Sequence, residues 1–311
     1  MPLTIVMYHY VRDLARSRYP AMNARTLEDF RRQLAHIDRN YEVVTAEQVI
    51  AAAEGKDELP DNACWLTFDD GYLDHYTNVF PLLDERRWQG SFFIPALPVL
   101  ERKLLDVNKI HLILAAQTDT DALIEALKRA IDAEREAGAE LDNWDTYVAK
   151  YLRECHLDTP EVLFLKQMLQ LVLPEDVRNR VCDALFARFV SADESAIAAE
   201  LYLSVDQIKS MVRHGMGVGT HGYRHLWLNS LDRPKQEREI DRSLDFIRAL
   251  GVPSKDWMMC YPYGGYDDTT LDLLASRGCA LGITTRSGIA RIGRDSPLEL
   301  PRIDTIDLPL A

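Results

Sequence analysis

Two carboxylates stand side by side, Asp69 and Asp70, at the end of the apolar run Trp65-Leu66-Thr67-Phe68. If that run is a buried strand, the two cannot both be ordinary solvated charges. Burying an unpaired carboxylate costs several kcal/mol. A cation on one of them removes that cost and leaves the other free to take a proton. Partners for a cation stand in Gly219-Thr220-His221-Gly222-Tyr223-Arg224-His225. Two imidazoles four residues apart can converge on one metal. One Asp and two His form a three-ligand set, which leaves coordination positions open for water and substrate, as catalytic rather than structural metal sites do.

The elements that must hold these residues follow from the hydrophobic pattern. Short apolar runs predict strands at Leu3–Tyr8, Tyr41–Thr45, Cys64–Phe68, Ser91–Pro95, Met216–Thr220, Trp257–Tyr261, Ala280–Thr284 and Leu300–Ile303. Helices are expected between them. One is opened by Thr26 as N-cap, with Phe30, Leu34 and Ile37 as its apolar stripe. Others run from Glu47 to Ala53, Val79 to Arg87, Ser204 to Arg213, Arg233 to Leu250 and Asp268 to Ser276, the last two followed by Gly251 and Gly278. Between about Glu101 and Leu203 glycine occurs once, at Gly138, and helical spacing dominates, as at Leu123, Ile124, Leu127, Ala130 and Ile131. This stretch, 101–203, reads as a helical insertion, a cap or subdomain within a single domain of residues 1–311. The alternation of strand and helix predicts an α/β fold with mostly parallel strands, and the strand count favours a barrel. Asp69 and Asp70, His221, Pro262 and Tyr263, and His9 all follow strands, so in a barrel they share the face where chemistry is built.

The 311 residues suffice for one large α/β domain with an insertion. With 36 basic against 49 acidic residues, the formal charge of −13 argues against nucleic-acid binding and against an electrostatic grip on anionic membrane. No basic segment leads into a long apolar core at the start, and no apolar run is long enough to span a bilayer. The five cysteines, Cys64, Cys155, Cys182, Cys260 and Cys279, are scattered and read as reduced thiols, mostly packing residues. These features together predict a cytoplasmic protein.

Thr67-Phe68-Asp69-Asp70-Gly71, the pair His221 and His225, and Tyr261-Pro262-Tyr263-Gly264 resemble the three leading motifs of the polysaccharide deacetylase family, carbohydrate esterase family 4. The likeness covers residues 1–100 and 204–311 in order and spacing and leaves out the helical stretch. It implies a deformed barrel of the (β/α)7 type and a divalent metal, zinc first, with iron, cobalt, nickel or manganese as substitutes. It implies hydrolysis of an N-acyl group on an amino sugar. Carried over by position, Asp69 is the general base, while Asp70, His221 and His225 are metal ligands. Backbone N–H groups of the Pro262–Gly264 turn, Tyr263 among them, would stabilise the oxyanion.

Two departures matter. The family often carries an Arg two residues before the proline of the third motif, where it orients the base; here that residue is Cys260, and Arg302 is the replacement expected. The family's usual acid is a His near the C-terminus, and no His follows His225. Met7-Tyr8-His9-Tyr10-Val11 resembles the N-terminal segment of members with a permuted barrel order, which makes His9 the expected general acid, placed across the cation from Asp69. Asp74 and His75 either line the pocket or cap the next helix; His36, His111, His156 and His214 fall on helical stretches. The substrate expected is an acetylated or formylated amino sugar, on a nucleotide- or lipid-linked precursor of a surface polysaccharide. Two other classes stand beside this: a sugar-binding protein of the same fold with impaired turnover, and a non-haem iron enzyme using the Asp-His-His set.

Overall fold

The computed structural model describes residues 1–154, 158–253 and 255–310. Cys155 and His156 lie outside the described residues. The chain forms two compact units: one of Met1–Asp13, Ala24–Lys103 and Ala199–Ala311, the other of Leu14–Asn23 and Leu104–Ala198.

The first unit is built on seven parallel strands, β1 (Pro2–Tyr8), β2 (Ala63–Asp69), β3 (Gly90–Ile94), β4 (Gly217–Thr220), β5 (Trp257–Cys260), β6 (Cys279–Ser287) and β7 (Leu300–Asp304). Neighbours in that order pair in parallel from β1 through β6 and on to β7. The ring then closes by pairing Val6 with Ile303 and Met7 with Asp304 across β1 and β7. This is the closed seven-stranded barrel that the resemblance implies. The expected strand at Tyr41–Thr45 shrinks to Glu42–Val43, which pairs only with β2 and lies outside the ring. β1 and β3 already occupy both sides of β2 along its upper length, so this segment finds a partner only at the start of β2.

Side chains alternate along these strands, and the alternation decides what enters the barrel. Leu3 and Ile5 of β1, Trp65 of β2, Phe93 of β3, Met258 and Cys260 of β5, Leu281 and Ile283 of β6, and Leu300 of β7 share one buried cluster inside the ring. Val6, Tyr8, Leu66, Phe68, Phe92 and Met259 belong to a second cluster that packs against surrounding helices. Glycine in β4 makes room for the interior. A Cβ on Gly219 would lie 2.6 Å from the Phe93 ring.

The helices match the expected caps. Thr26 accepts from the Asp29 N–H at the start of Leu27–Asn40, and Ser204 forms a full capping box for Val205–Arg213. Asp74 does not cap. Its carboxylate pairs with Arg12 Nε at 2.6 Å, and His75–Val79 winds as one π-helical turn before Phe80–Arg86.

The second unit is helical. Asp106–Ala116, Thr120–Glu136, Trp144–Tyr151, Pro160–Gln167 and Glu175–Phe189 surround a core that includes Leu112, Leu127, Ile131, Phe164, Leu169 and Leu185. Lys109 is buried in it and is neutralised by Asp183 at 2.6 Å and Glu194 at 3.2 Å. Among the described residues no helix is long and apolar enough to cross a membrane, and Cys64, Cys182, Cys260 and Cys279 are free thiols.

Candidate active site

The site lies at the end of the barrel where β1, β2, β4 and β5 finish, within the first unit. Period-two alternation carries Trp65, Thr67 and Asp69 to the inner face of β2, Met258 and Cys260 to that of β5, and Leu300 and Arg302 to that of β7. Asp69, Cys260 and Arg302 therefore meet at the top of the barrel interior. The Arg302 guanidinium grips Asp69 with a fork, Nη1 to Oδ1 at 3.0 Å and Nη2 to Oδ2 at 2.8 Å. Its remaining donors are also placed. Nε donates to the Thr284 carbonyl at 2.8 Å, and Nη1 approaches Thr67 Oγ1 at 3.2 Å. Burial by itself pushes the Asp69 carboxyl up, but the Arg302 charge, with His221 and His9, outweighs it and brings the pKa down to about 2. Asp69 is thus ionised over the whole physiological range.

Cys260 fills the space beside this pair. Its Sγ is 3.5 Å from Asp69 Oδ2 and 3.2 Å from Arg302 Nη2. Burial pushes its thiol up, so the group stays protonated and donates toward the carboxylate. Arg302 reaches the aspartate that the family's third motif would otherwise serve, and Cys260 is small enough to let it in.

Asp70 leaves the strand through a left-handed backbone at φ 74°. Continued strand geometry would send its side chain outward, opposite to Asp69; the turn redirects it to the two imidazoles. Asp70 Oδ1 lies 3.4 Å from Nε2 of His221 and 3.4 Å from Nε2 of His225, and the two nitrogens are 3.2 Å apart. His225 and Tyr263 are also left-handed, both at φ 57°. Such a conformation costs a non-glycine residue about 1–2 kcal/mol, and three of them converge here.

The three ligand atoms fit a cation. All lie within 4.8 Å of one another. Metal–nitrogen bonds of about 2.0–2.1 Å in a tetrahedral site put neighbouring ligand atoms about 3.3 Å apart, which agrees with the separations above. Asp70 Oδ1 is buried and has no hydrogen-bond donor among the described residues. The His221 Nδ1–H donates to the Cys260 carbonyl at 2.8 Å, which leaves the Nε2 lone pair facing Asp70. Electrostatics point the same way. Burial opposes a charged His221, yet the acceptors around it, Cys260 and the carboxylates of Asp70 and Asp69, raise its pKa well above the usual value. Burial and the charge of His221 press His225 down to about 3.

His9 follows β1 at the same barrel end. Its Nε2 is 3.8 Å from Asp69 Oδ2 and its side chain is 43 % exposed, so it stands beside the carboxylate rather than across from it. His75, fully buried, donates Nε2–H to the His9 carbonyl at 2.9 Å and so fixes the backbone that carries the imidazole. The Tyr263 ring packs on His225 with centroids 4.5 Å apart and stacks on Trp227 at 4.7 Å and 6°. Sequence reasoning did not single out Trp227, Tyr72 or Thr284, and gave Thr67 only as part of a motif. The only local signal was position, Trp227 two residues past His225 and Tyr72 two past Asp70.

Comparison with known proteins agrees with this geometry. The family model for polysaccharide deacetylase matches residues 56–141 and 174–282. Poly-beta-1,6-N-acetyl-D-glucosamine N-deacetylase of Escherichia coli (strain K12) is 39% identical over 84 residues, which are 27% of this chain and 12% of that protein. The YxkH protein of Bacillus subtilis (strain 168) is 30% identical over 95 residues, 30% of this chain and 34% of that one. The alignments thus span about a third or less of these curated relatives. Among solved structures, Streptococcus pyogenes deacetylase PplD in complex with acetate superposes with a TM-score of 0.59 at 20% identity, covering 98% of this chain and 92% of that one. IcaB from Ammonifex degensii gives 0.57 at 19% identity, covering 97% and 91%. At these identities the two structures speak for the fold. With its Asp69-Asp70 turn and its His221–His225 pair lying in the matched segments, this chain belongs to the polysaccharide deacetylase family.

Proposed function

We propose that this protein is a divalent-metal-dependent hydrolase that removes an N-acyl group, acetyl first and formyl second, from an amino sugar. The observation that carries the reading is the pairing of two unlike aspartates. Asp69 also lies near His221 and Cys260, but both its oxygens are taken by Arg302, which holds it ionised, while Asp70 presents a bare oxygen to His221 and His225. A sugar-binding protein has no use for a base pinned in this way, and an oxygenase site has no use for it beside the ligand set.

Asp70, His221 and His225 would hold the cation, zinc by the nitrogen-rich ligand set. Bound there, it supplies Lewis acidity to the amide carbonyl and lowers the pKa of an attacking water. Asp69 takes the proton of that water, and Arg302 keeps its carboxylate aimed and ionised. In the Pro262–Gly264 turn, set by the left-handed Tyr263, Pro262 carries no N–H and the Gly264 N–H donates to the Tyr261 carbonyl at 2.8 Å, so the backbone group assigned to the developing oxyanion is the Tyr263 N–H. His9, 3.8 Å from Asp69, gives a proton to the departing sugar nitrogen, without which an amine anion is too poor a leaving group.

The family and the relative named for a poly-β-1,6-linked N-acetylglucosamine support an N-acetylated glycan as substrate. Nucleotide- or lipid-linked precursors of a surface glycan extend the same chemistry. The test is an acetate- and formate-release assay with zinc-loaded protein on N-acetylglucosamine oligomers, free N-acetyl and N-formyl sugars and nucleotide-linked ones. Release that depends on metal and on Asp69 supports the proposal. Absence of release from every amide tested, with the metal bound, overturns it.

A further inference from the structure

The structure assigns a positioning role to Tyr72, which we infer to be the residue that makes Asp70 a one-oxygen metal ligand and ties that ligand to the segment bearing His9. The inference rests on the reading of Asp70, His221 and His225 as metal ligands. Tyr72 is fully buried, and its hydroxyl donates to Asp70 Oδ2 at 2.5 Å. That is the length of a strong hydrogen bond from a hydroxyl to an ionised oxygen. One carboxylate oxygen is thereby occupied, while Oδ1, the oxygen that faces both imidazoles, is left without a donor. A carboxylate free at both oxygens can rotate and chelate; one clamped at Oδ2 presents a single lone pair in a fixed direction.

The phenol cannot swing away. Tyr10 stacks on one side with centroids 3.9 Å apart at 16°, and Tyr202 lies at 6.1 Å and 16°. The backbone is held as well, since the Leu203 N–H donates to the Gly71 carbonyl at 2.9 Å. Tyr10 is the residue after His9, and His75, three residues after Tyr72, holds the His9 carbonyl. One short segment, residues 70–75, therefore sets both the ligand oxygen and the backbone of the proposed acid. Partners in this outer position around metal sites usually change affinity by about 10–100-fold when removed.

The experiment compares wild type, Tyr72→Phe and His225→Ala, each stripped and then titrated with zinc against a chromogenic chelator. The cobalt-loaded forms are compared by visible absorption, and the melting of the metal-free forms is followed in parallel. The expected result is a 10–100-fold loss of zinc affinity and an altered cobalt spectrum in Tyr72→Phe, with little change in metal-free melting. Wild-type affinity and an unchanged spectrum in Tyr72→Phe, while His225→Ala loses metal, overturn the role of Tyr72 alone. Metal retained by His225→Ala overturns the ligand assignment itself. Should Tyr72→Phe not fold, 3,5-difluorotyrosine at position 72 keeps the ring and strengthens the donor. A shifted cobalt spectrum then supports the inference, and an unshifted one overturns it.

Discussion

Arg302 and Asp69 stand 233 residues apart in the chain and meet as a two-pronged ion pair sealed inside the barrel mouth. A fork-to-fork contact fixes the plane of the carboxylate as well as its charge. With both prongs on Arg302, the outward lone pairs of Asp69 are the ones left for a water.

Arg302→Met should therefore do two separable things. Leaving Asp69 buried without its partner should cost about 3–5 kcal/mol of stability, as broken buried pairs do, read by denaturant unfolding. Burial, now unopposed by the guanidinium, should raise the Asp69 pKa from about 2. The acid limb of kcat/KM should then move to higher pH. An acid limb that stays in place would show that Arg302 does not govern the ionisation of the base.

Asp69→Asn keeps the shape and removes the base. Turnover should fall by about 100-fold or more, the usual contribution of a general base, while zinc content stays stoichiometric. Zinc lost in step with activity would place Asp69 among the ligands.

His9→Gln should depress turnover strongly with metal retained. The effect should be smaller on substrates whose leaving amine is less basic, because they need less help from an acid. Equal losses on both classes would assign His9 to binding.

His75 gives a pH dependence of stability. Burial presses its pKa down to about 4 from 6.5, so the folded protein keeps it neutral where the unfolded chain takes up a proton. Its contribution is whole above about pH 6.5 and is lost as pH falls toward 4, on the order of 3 kcal/mol in all. In chelator-treated protein, His75→Phe should flatten the unfolding free energy across that window relative to wild type. Parallel curves for the two proteins would refute the point.

Added zinc should stabilise wild type by about 2.7 kcal/mol at a hundredfold excess over Kd, seen as a rise in Tm. Asp70→Ala should show no such rise.

Much of this site was legible in the sequence because strand alternation and strand-end position are local signals. Asp69, Asp70, His221 and His9 could be placed at one end of the barrel from the apolar runs that precede them. Arg302 was legible only as a replacement for the arginine that Cys260 displaces from the third motif, since its partner lies across the ring. Tyr72 and Trp227 were not legible as site residues, and His75 was legible only as one of two alternatives, lining the pocket or capping the next helix. Their roles come from stacking and hydrogen bonds whose partners are fixed by ring closure, and no spacing in the chain encodes those. The π-helical turn at His75–Val79 was likewise invisible, because the apolar period there fits an ordinary helix starting at Val79. Tyr41–Thr45 has the composition of a strand but lacks neighbours, so only Glu42–Val43 pairs.

The pairing of β1 with β7 has a consequence for how the protein comes to be active. β1 is made first and β7 last of the seven strands, so the barrel stays an open sheet until residues 300–304 have been synthesised and have docked. Contacts this distant in sequence form late and slowly. Until then Asp69 lacks its arginine, and two strand edges lie bare, an invitation to pairing with other chains. The segment that closes the barrel also delivers the group that keeps the base ionised. A nascent or truncated chain that stops short of Leu300 can have the proposed metal ligands in place and still lack the arginine that readies the proposed base, so closing the barrel and completing the site become one event.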